Sequence, residues 1–235
     1  MNWTSGTKGI WTVVPVKDTA EAKQRLAPVL APHLRQALAL AMLEDVLATL
    51  ARVRGLAGVI VVTADPAAGA IASRYGARIS SDGAREGHTG AVAAAARQLA
   101  ADDMLTVPGD IPLVEADDVR KLLEAHGNAT CRDTRAFIIV PARDERGSNA
   151  IGCSPDGAVP LTFGADSFWP HLAAAKRCGI DPTVLRLPRI ALDIDTPDDL
   201  ALFLATPSHT RARALLEQVY PSSFPGAPTA RSRNP

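Results

Sequence analysis

The chain has 235 residues, 47% hydrophobic and 21% charged, with 25 basic and 25 acidic side chains. That length supports a substantial core in one domain, and the even charge argues against nucleic acid as the main partner. No apolar run approaches the roughly 20 residues that span a bilayer, and the start of the chain lacks the apolar stretch of a secretory signal. Three scattered cysteines, Cys131, Cys153 and Cys178, have no metal-ligand spacing and fit reduced thiols in the cytoplasm.

Apolar runs and helical patterns alternate along the chain. Trp11–Val16 reads as a first strand. A long helix follows, with Leu34, Leu38, Met42, Val46 and Leu50 on one face. Val59–Thr63 is a second strand, then a short Ala-rich helix and a third strand at Gly76–Ser80. A helix over 89–101 leads to the strand Met104–Val107. A helix over 116–125 precedes the strand Ala136–Val140, and Ala150–Cys153 is a short sixth strand. Ser167–Cys178 reads as helix and Val184–Leu187 as strand. Ile190–Asp195 reads as a last strand, followed by two helices. This alternation predicts an α/β fold with a mostly parallel sheet. It predicts one domain over 10–206, an N-terminal extension over 1–9, a C-terminal helix over 207–220 and a disordered tail over 221–235 rich in Pro, Ser, Arg and Gly. The apolar positions Ala212, Leu215, Leu216 and Val219 leave two partners open for that helix, its own domain or a second copy in a homodimer.

In such sheets ligands bind beyond the carboxyl ends of the strands, and three places there carry chemistry. After the first strand, Lys17, Lys23 and Arg25 supply charge suited to a phosphate chain; a solvated charged turn is the plainer reading. The fourth strand ends in Pro108-Gly109-Asp110-Ile111-Pro112, a single carboxylate in a proline-bounded turn. In Asp193-Ile194-Asp195, side chains two apart share a face, and paired carboxylates call for a cation such as Mg²⁺. Thr196, Pro197, Asp198 and Asp199 read as an ordinary helix start. Gly164 would let an anion approach the backbone, whereas Asp166 or Ser167 could simply cap a helix. No Walker loop, G-x-G-x-x-G after the first strand or G-x-S-x-G occurs. His88 and His171 read as surface or rim residues rather than zinc ligands.

The ordered set V-P-V-K with A-K-x-R-L, G-D-I-P, G-S-N-A, F-G-x-D-S-F-x-x-H and D-I-D-T-P-x-D-L resembles the phospholactate or phosphoenolpyruvate guanylyltransferases of coenzyme F-420 biosynthesis, over almost all of residues 10–205. The resemblance implies a Rossmann-like three-layer α/β/α nucleotidyltransferase fold. It implies transfer of GMP from GTP to the phosphate of a three-carbon phosphoacid (2-phospho-L-lactate, phosphoenolpyruvate or 3-phospho-D-glycerate), with release of pyrophosphate. Asp110, Asp193 and Asp195 would then hold Mg²⁺, and Lys17, Lys23 and Arg25 would act as catalytic cations on the triphosphate. Ser148, Asn149, Gly164 and Ser167 would contact the phosphoacid; Lys17, Lys23, Thr63, Gly87, Thr89 and Asp110 would contact the nucleotide. Gly87-His88-Thr89 departs from the Gly-Leu-Asn of many members. The rival readings are a molybdenum-cofactor or sugar-phosphate nucleotidyltransferase, whose L-A-G-G-x-x-x-R-M-G loop is missing here, and a non-catalytic nucleotide-binding module.

Overall fold

The computed structural model describes residues 9–99, 103–155 and 157–219. The tail expected over 221–235, nearly all of the expected N-terminal extension and the last two residues of the helix expected over 89–101 lie outside them.

The sheet strands are β1 (Ile10–Pro15), β2 (Leu56–Val62), β3 (Arg78–Ser80), β4 (Met104–Thr106), β5 (Ala136–Pro141), β6 (Ser148–Ser154) and β7 (Thr183–Val184). Their order is β3-β2-β1-β4-β6-β5-β7. Within this sheet β6 runs antiparallel to both β4 and β5, and all other pairings are parallel. β1 and β2 are buried along nearly their whole length, as strands covered on both faces must be.

The helices are α1 (Pro32–Leu50), α2 (Pro66–Arg74), α3 (Gly87–Leu99), α4 (Ala116–Thr130), α5 (Phe168–Arg177), α6 (Pro188–Ala191), α7 (Pro197–Ala205) and α8 (Arg211–Val219). Alternate strand residues face opposite layers. Val14, Val59 and Val61 pack with α1, α2 and α4, while Trp11, Val13, Ile60 and Val62 pack with α3. Phe137, Ile139 and Ile151 pack with α5 on that second face. The result is a three-layer α/β/α sandwich of the Rossmann-like type.

The apolar face of α8 packs on α1 and α7, with Ala212 and Leu216 fully buried. The buried Asp45 of α1 accepts from the backbone N–H of Arg211 at 2.9 Å and of Ala212 at 3.0 Å. A carboxylate at a helix start satisfies donors that the helix itself leaves unpaired. That face of α8 is therefore occupied within the chain.

One expected strand is absent. Pro188 opens the short helix α6, so Ile190 and Ala191 are helical, and after the extended Leu192 the segment to Asp195 joins no ladder. The alternation nevertheless holds. Leu192 and Ile194 are buried against α1 and α7, which turns Asp193 and Asp195 the other way. The Ile194 N–H donates to the Asp110 carbonyl at 3.1 Å, fixing this segment against the end of β4. Val184–Leu187 likewise shortens to the two-residue β7.

Candidate active site

The first loop is anchored at both ends. Asp65 caps α2, accepting from Ala67 N–H at 2.7 Å and Ala68 N–H at 3.3 Å. Its other oxygen accepts from the Thr19 backbone N–H at 2.8 Å and from the Thr19 hydroxyl. Further on, Leu26 is fully buried against α1. Between these anchors Lys23 takes a left-handed backbone, φ 56°, and its side chain is only 8% exposed. The ammonium donates to Asp195 Oδ1 at 2.6 Å and to Asp110 Oδ2. Burial opposes the Lys23 charge, but Asp110 and Asp195 outweigh it and raise the ammonium above its ordinary value.

The third carboxylate is crowded. Burial first, and then the Asp110 charge, push the Asp193 carboxyl up to about 6, while Asn149 pulls the other way. Asn149 donates to Asp193 Oδ1 at 3.0 Å and to the Ile190 carbonyl at 2.9 Å, so both amide hydrogens are committed to the protein. Asp110 Oδ1 is buried without a hydrogen-bond partner. Among the described residues, no three His, Cys, Asp or Glu side chains are grouped to hold one ion. A lysine stands between two of the aspartates instead. An orphaned carboxylate oxygen and a carboxyl raised by burial and then by a like-charged neighbour are what a hard cation relieves, so the donor chemistry fits Mg²⁺.

Across the cleft, β6 opens with Ser148 and α5 begins after Ser167. The Ser167 hydroxyl lies 3.2 Å from that of Ser148. His171, one turn into α5, lies 3.0 Å from Ser148 Oγ through Nδ1 and accepts the Thr162 N–H at 2.9 Å through Nε2. It is 1% exposed rather than a rim residue, and burial lowers its imidazole to about 4. Phe163 bridges to the other half of the cleft. It lies edge-on to His171 at 5.2 Å and stacks on His88 at 4.1 Å, and its N–H donates to Thr89 Oγ1 at 2.9 Å. Burial also lowers His88 to about 4. Asp166 pairs with Arg146 at 2.6 Å and does not cap α5, nor does Ser167 through its side chain.

The two halves of the cleft meet at one cavity of about 1240 Å³, ample for a nucleotide and a small acid. Lys17, Lys23, Arg25, Gly87, Thr89, Asp110, Ser148, Asn149, Gly164, Ser167, Asp193 and Asp195 all line it. Thr63 does not. Buried at the end of β2, its hydroxyl accepts the Asp65 N–H at 3.1 Å and so supports the anchor of the first loop. Sequence reasoning missed Asp65 and misread His171. The Asp65-Pro66 pair already carried a helix-start signal, and the four-residue spacing from Ser167 put His171 on the same helix face.

A serine, a histidine and an aspartate also meet at the opposite end of the sheet. There the Ser154 hydroxyl, which contacts His126, donates to Asp103 at 2.5 Å. Asp103 lies 3.9 Å from His126 Nε2, the same nitrogen that contacts Ser154, so no aspartate orients the ring through its second nitrogen; with Ser154 only 1% exposed, this is not a nucleophile–base arrangement.

Residues 10–231 match the family described as "Guanylyl transferase CofC like". The chain belongs to this family. This guanylyl transferase is 41% identical to the phosphoenolpyruvate guanylyltransferase of Conexibacter woesei, covering 81% of this chain and 85% of that one. It is 40% identical to the enzyme of the same name from Roseiflexus castenholzii, covering 89% and 94%. It is 36% identical to the 3-phospho-D-glycerate guanylyltransferase of Colwellia psychrerythraea, covering 81% and 89%. Among solved structures, a Desulfovibrio desulfuricans protein assigned to the nucleotide-diphospho-sugar transferases superposes with TM-score 0.67 at 21% identity, covering 93% of this chain and 95% of that one. A 4-diphosphocytidyl-2C-methyl-D-erythritol synthase superposes at 0.58 with 15% identity, covering 89% and 100%. At such identities the likeness speaks to the fold, a nucleotidyltransferase one. The protein is a nucleotidyltransferase, and no helix among its described residues is long and apolar enough to cross a membrane.

Proposed function

We propose that the cavity moves GMP from GTP onto the phosphate of a three-carbon phosphoacid: phosphoenolpyruvate, 2-phospho-L-lactate or 3-phospho-D-glycerate. The observation that carries this reading is the facing of two halves across one cleft. One half has the Lys23 ammonium between Asp110 and Asp195, with Asp193 on the same cavity wall, and the other has two serine hydroxyls beside the start of α5.

The chemistry needs no strong base. The acceptor's phosphate loses its second proton near pH 6, at about 6, so at neutral pH an anionic oxygen is already available. That oxygen bonds to the α-phosphorus of GTP as the bond from the α-phosphorus to the bridging oxygen breaks, and the electron pair leaves with pyrophosphate. His88 and His171, both held neutral by burial, are not needed as proton acceptors. Catalysis is positioning and charge neutralisation. Lys17 and Arg25 face the phosphate chain from the exposed part of the loop, and Lys23 from its buried turn. Asp110, Asp193 and Asp195 would hold Mg²⁺, which when bound supplies charge neutralisation at the phosphates. Asn149 keeps Asp193 aimed. Ser148, Gly164 and Ser167 receive the acid, while Gly87 and Thr89 face the nucleotide.

The reading sets the enzyme in the cytoplasm, where GTP is available, and three cysteines outside any disulfide agree with a reducing compartment. Every group it needs comes from one chain, so it requires neither a homodimer nor a nucleic-acid or membrane partner. The test is pyrophosphate release from GTP, ATP and CTP with each of the three acids in turn. Release with GTP and one acid supports the reading. Release with no acid, although nucleotide binds, favours the non-catalytic module.

A further inference from the structure

His171 does not line the cavity, yet both of its ring nitrogens are engaged by the protein. Its Nε2 receives a backbone N–H from Thr162 at 2.9 Å. A backbone amide can only donate, so Nε2 carries the lone pair and the neutral ring keeps its proton on Nδ1. Nδ1 lies 3.0 Å from Ser148 Oγ, which must therefore accept. The Ser167 hydroxyl lies 3.2 Å from the same oxygen and directs its hydrogen there. A hydroxyl oxygen has two acceptor positions and one hydrogen. With both positions filled, the Ser148 hydrogen has one direction left, into the cleft that Ser148 and Ser167 line. Phe163 packs edge-on against the imidazole at 5.2 Å.

We propose that His171 is a positioning residue for the acceptor. By holding Ser148 as an acceptor on its buried side, it makes the Ser148 hydroxyl an obligate donor toward an oxyanion, a carboxylate or phosphate oxygen of the phosphoacid. A site whose hydroxyls could turn either way would also accept hydrogen bonds from neutral alcohols. This one is biased toward anions. The inference rests on the acceptor reading given above.

Two variants divide the ring's contacts. His171→Asn keeps a donor at the Nδ1 position and loses the Thr162 contact, whereas His171→Gln keeps an acceptor for Thr162 and loses the donor to Ser148. The expected result is a rise of roughly tenfold in acceptor KM for Gln, with Asn staying within about threefold of wild type and the GTP KM within about twofold in both. Ser148→Ala raises the acceptor KM similarly, and Ser148→Ala combined with His171→Gln adds little more, because one hydrogen bond has been removed twice. Equal effects of Asn and Gln, an equal rise in the GTP KM, or additive effects of the pair overturn the assignment. Nitrogen-15 NMR of the wild-type imidazole supplies a measurement independent of any variant's folding. A proton on Nδ1 is expected, and a proton on Nε2 overturns the proposal. If wild-type protein releases no pyrophosphate with any of the three acids, the acceptor reading itself fails. If the wild type is active and the variants behave alike, only the role of His171 fails.

Discussion

The Lys23 ammonium sits 2.6 Å from Asp195 Oδ1 although 172 residues separate the two in the chain. The contact joins the turn after the first strand to the segment before α7, and with Asp110 it gathers one cation and two carboxylates from three parts of the sequence. Lys23→Met should therefore do more than remove a phosphate contact. It leaves Asp110 and Asp195 facing Asp193 without compensation, at a cost on the order of 2 kcal/mol, or roughly 4–8 °C in Tm. Calorimetry checks the stability, and turnover with GTP should fall at least about a hundredfold.

Asp193→Asn should separate stability from activity. The native carboxyl titrates at about 6 against an ordinary 3.8. A raised native pKa contributes stability below the unfolded value that is lost as pH climbs through the native one. Relative to wild type, the metal-free Asn variant should thus gain stability from about pH 4 to about pH 7, by at most about 3 kcal/mol. Activity should fall at least about a hundredfold. Paired thermal melts over that range, with and without Mg²⁺, test the sign; a difference independent of pH would contradict it.

Asp65→Ala should act at a distance. The carboxylate caps α2 and holds Thr19 of the first loop. Losing the cap costs about 1 kcal/mol, and releasing Thr19 loosens the turn that carries Lys17 and Lys23. The GTP KM should rise roughly fivefold or more, with a smaller change for the acid. Steady-state kinetics with each substrate varied in turn decides it.

Asp45→Ala should leave catalysis nearly intact while freeing α8. The two backbone hydrogen bonds at the start of that helix come from Asp45. Limited proteolysis should cut between α7 and α8 faster in the variant, with turnover within about twofold of wild type.

Much of the framework was legible in the sequence because covered strands are apolar along their length and helices announce their starts. β1, β2, α1 and the Thr196 capping box are cases of each. The last strand was misread for a physical reason. Alternation of Leu192 and Ile194 with Asp193 and Asp195 reports which sides are buried, and an extended segment lying across strand ends shows the same period as a strand within a sheet. Every residue the resemblance named except Thr63 lines the cleft, yet it could not reveal that Asn149 is spent on Asp193 or that Thr63 supports Asp65. Hydrogen-bond partners distant in sequence leave no periodic trace.

The reversed direction of β6 has a consequence for how such a cleft can change its diet. Because this strand runs against its neighbours, its opening residues arrive where theirs end, and Ser148 is borne on a paired ladder rather than on a turn. The cationic loop opposite is held between Asp65 and Leu26. On the function proposed above, acid selectivity would lie in a paired margin of the sheet, and replacements there would retune the molecule for another phosphorylated acid.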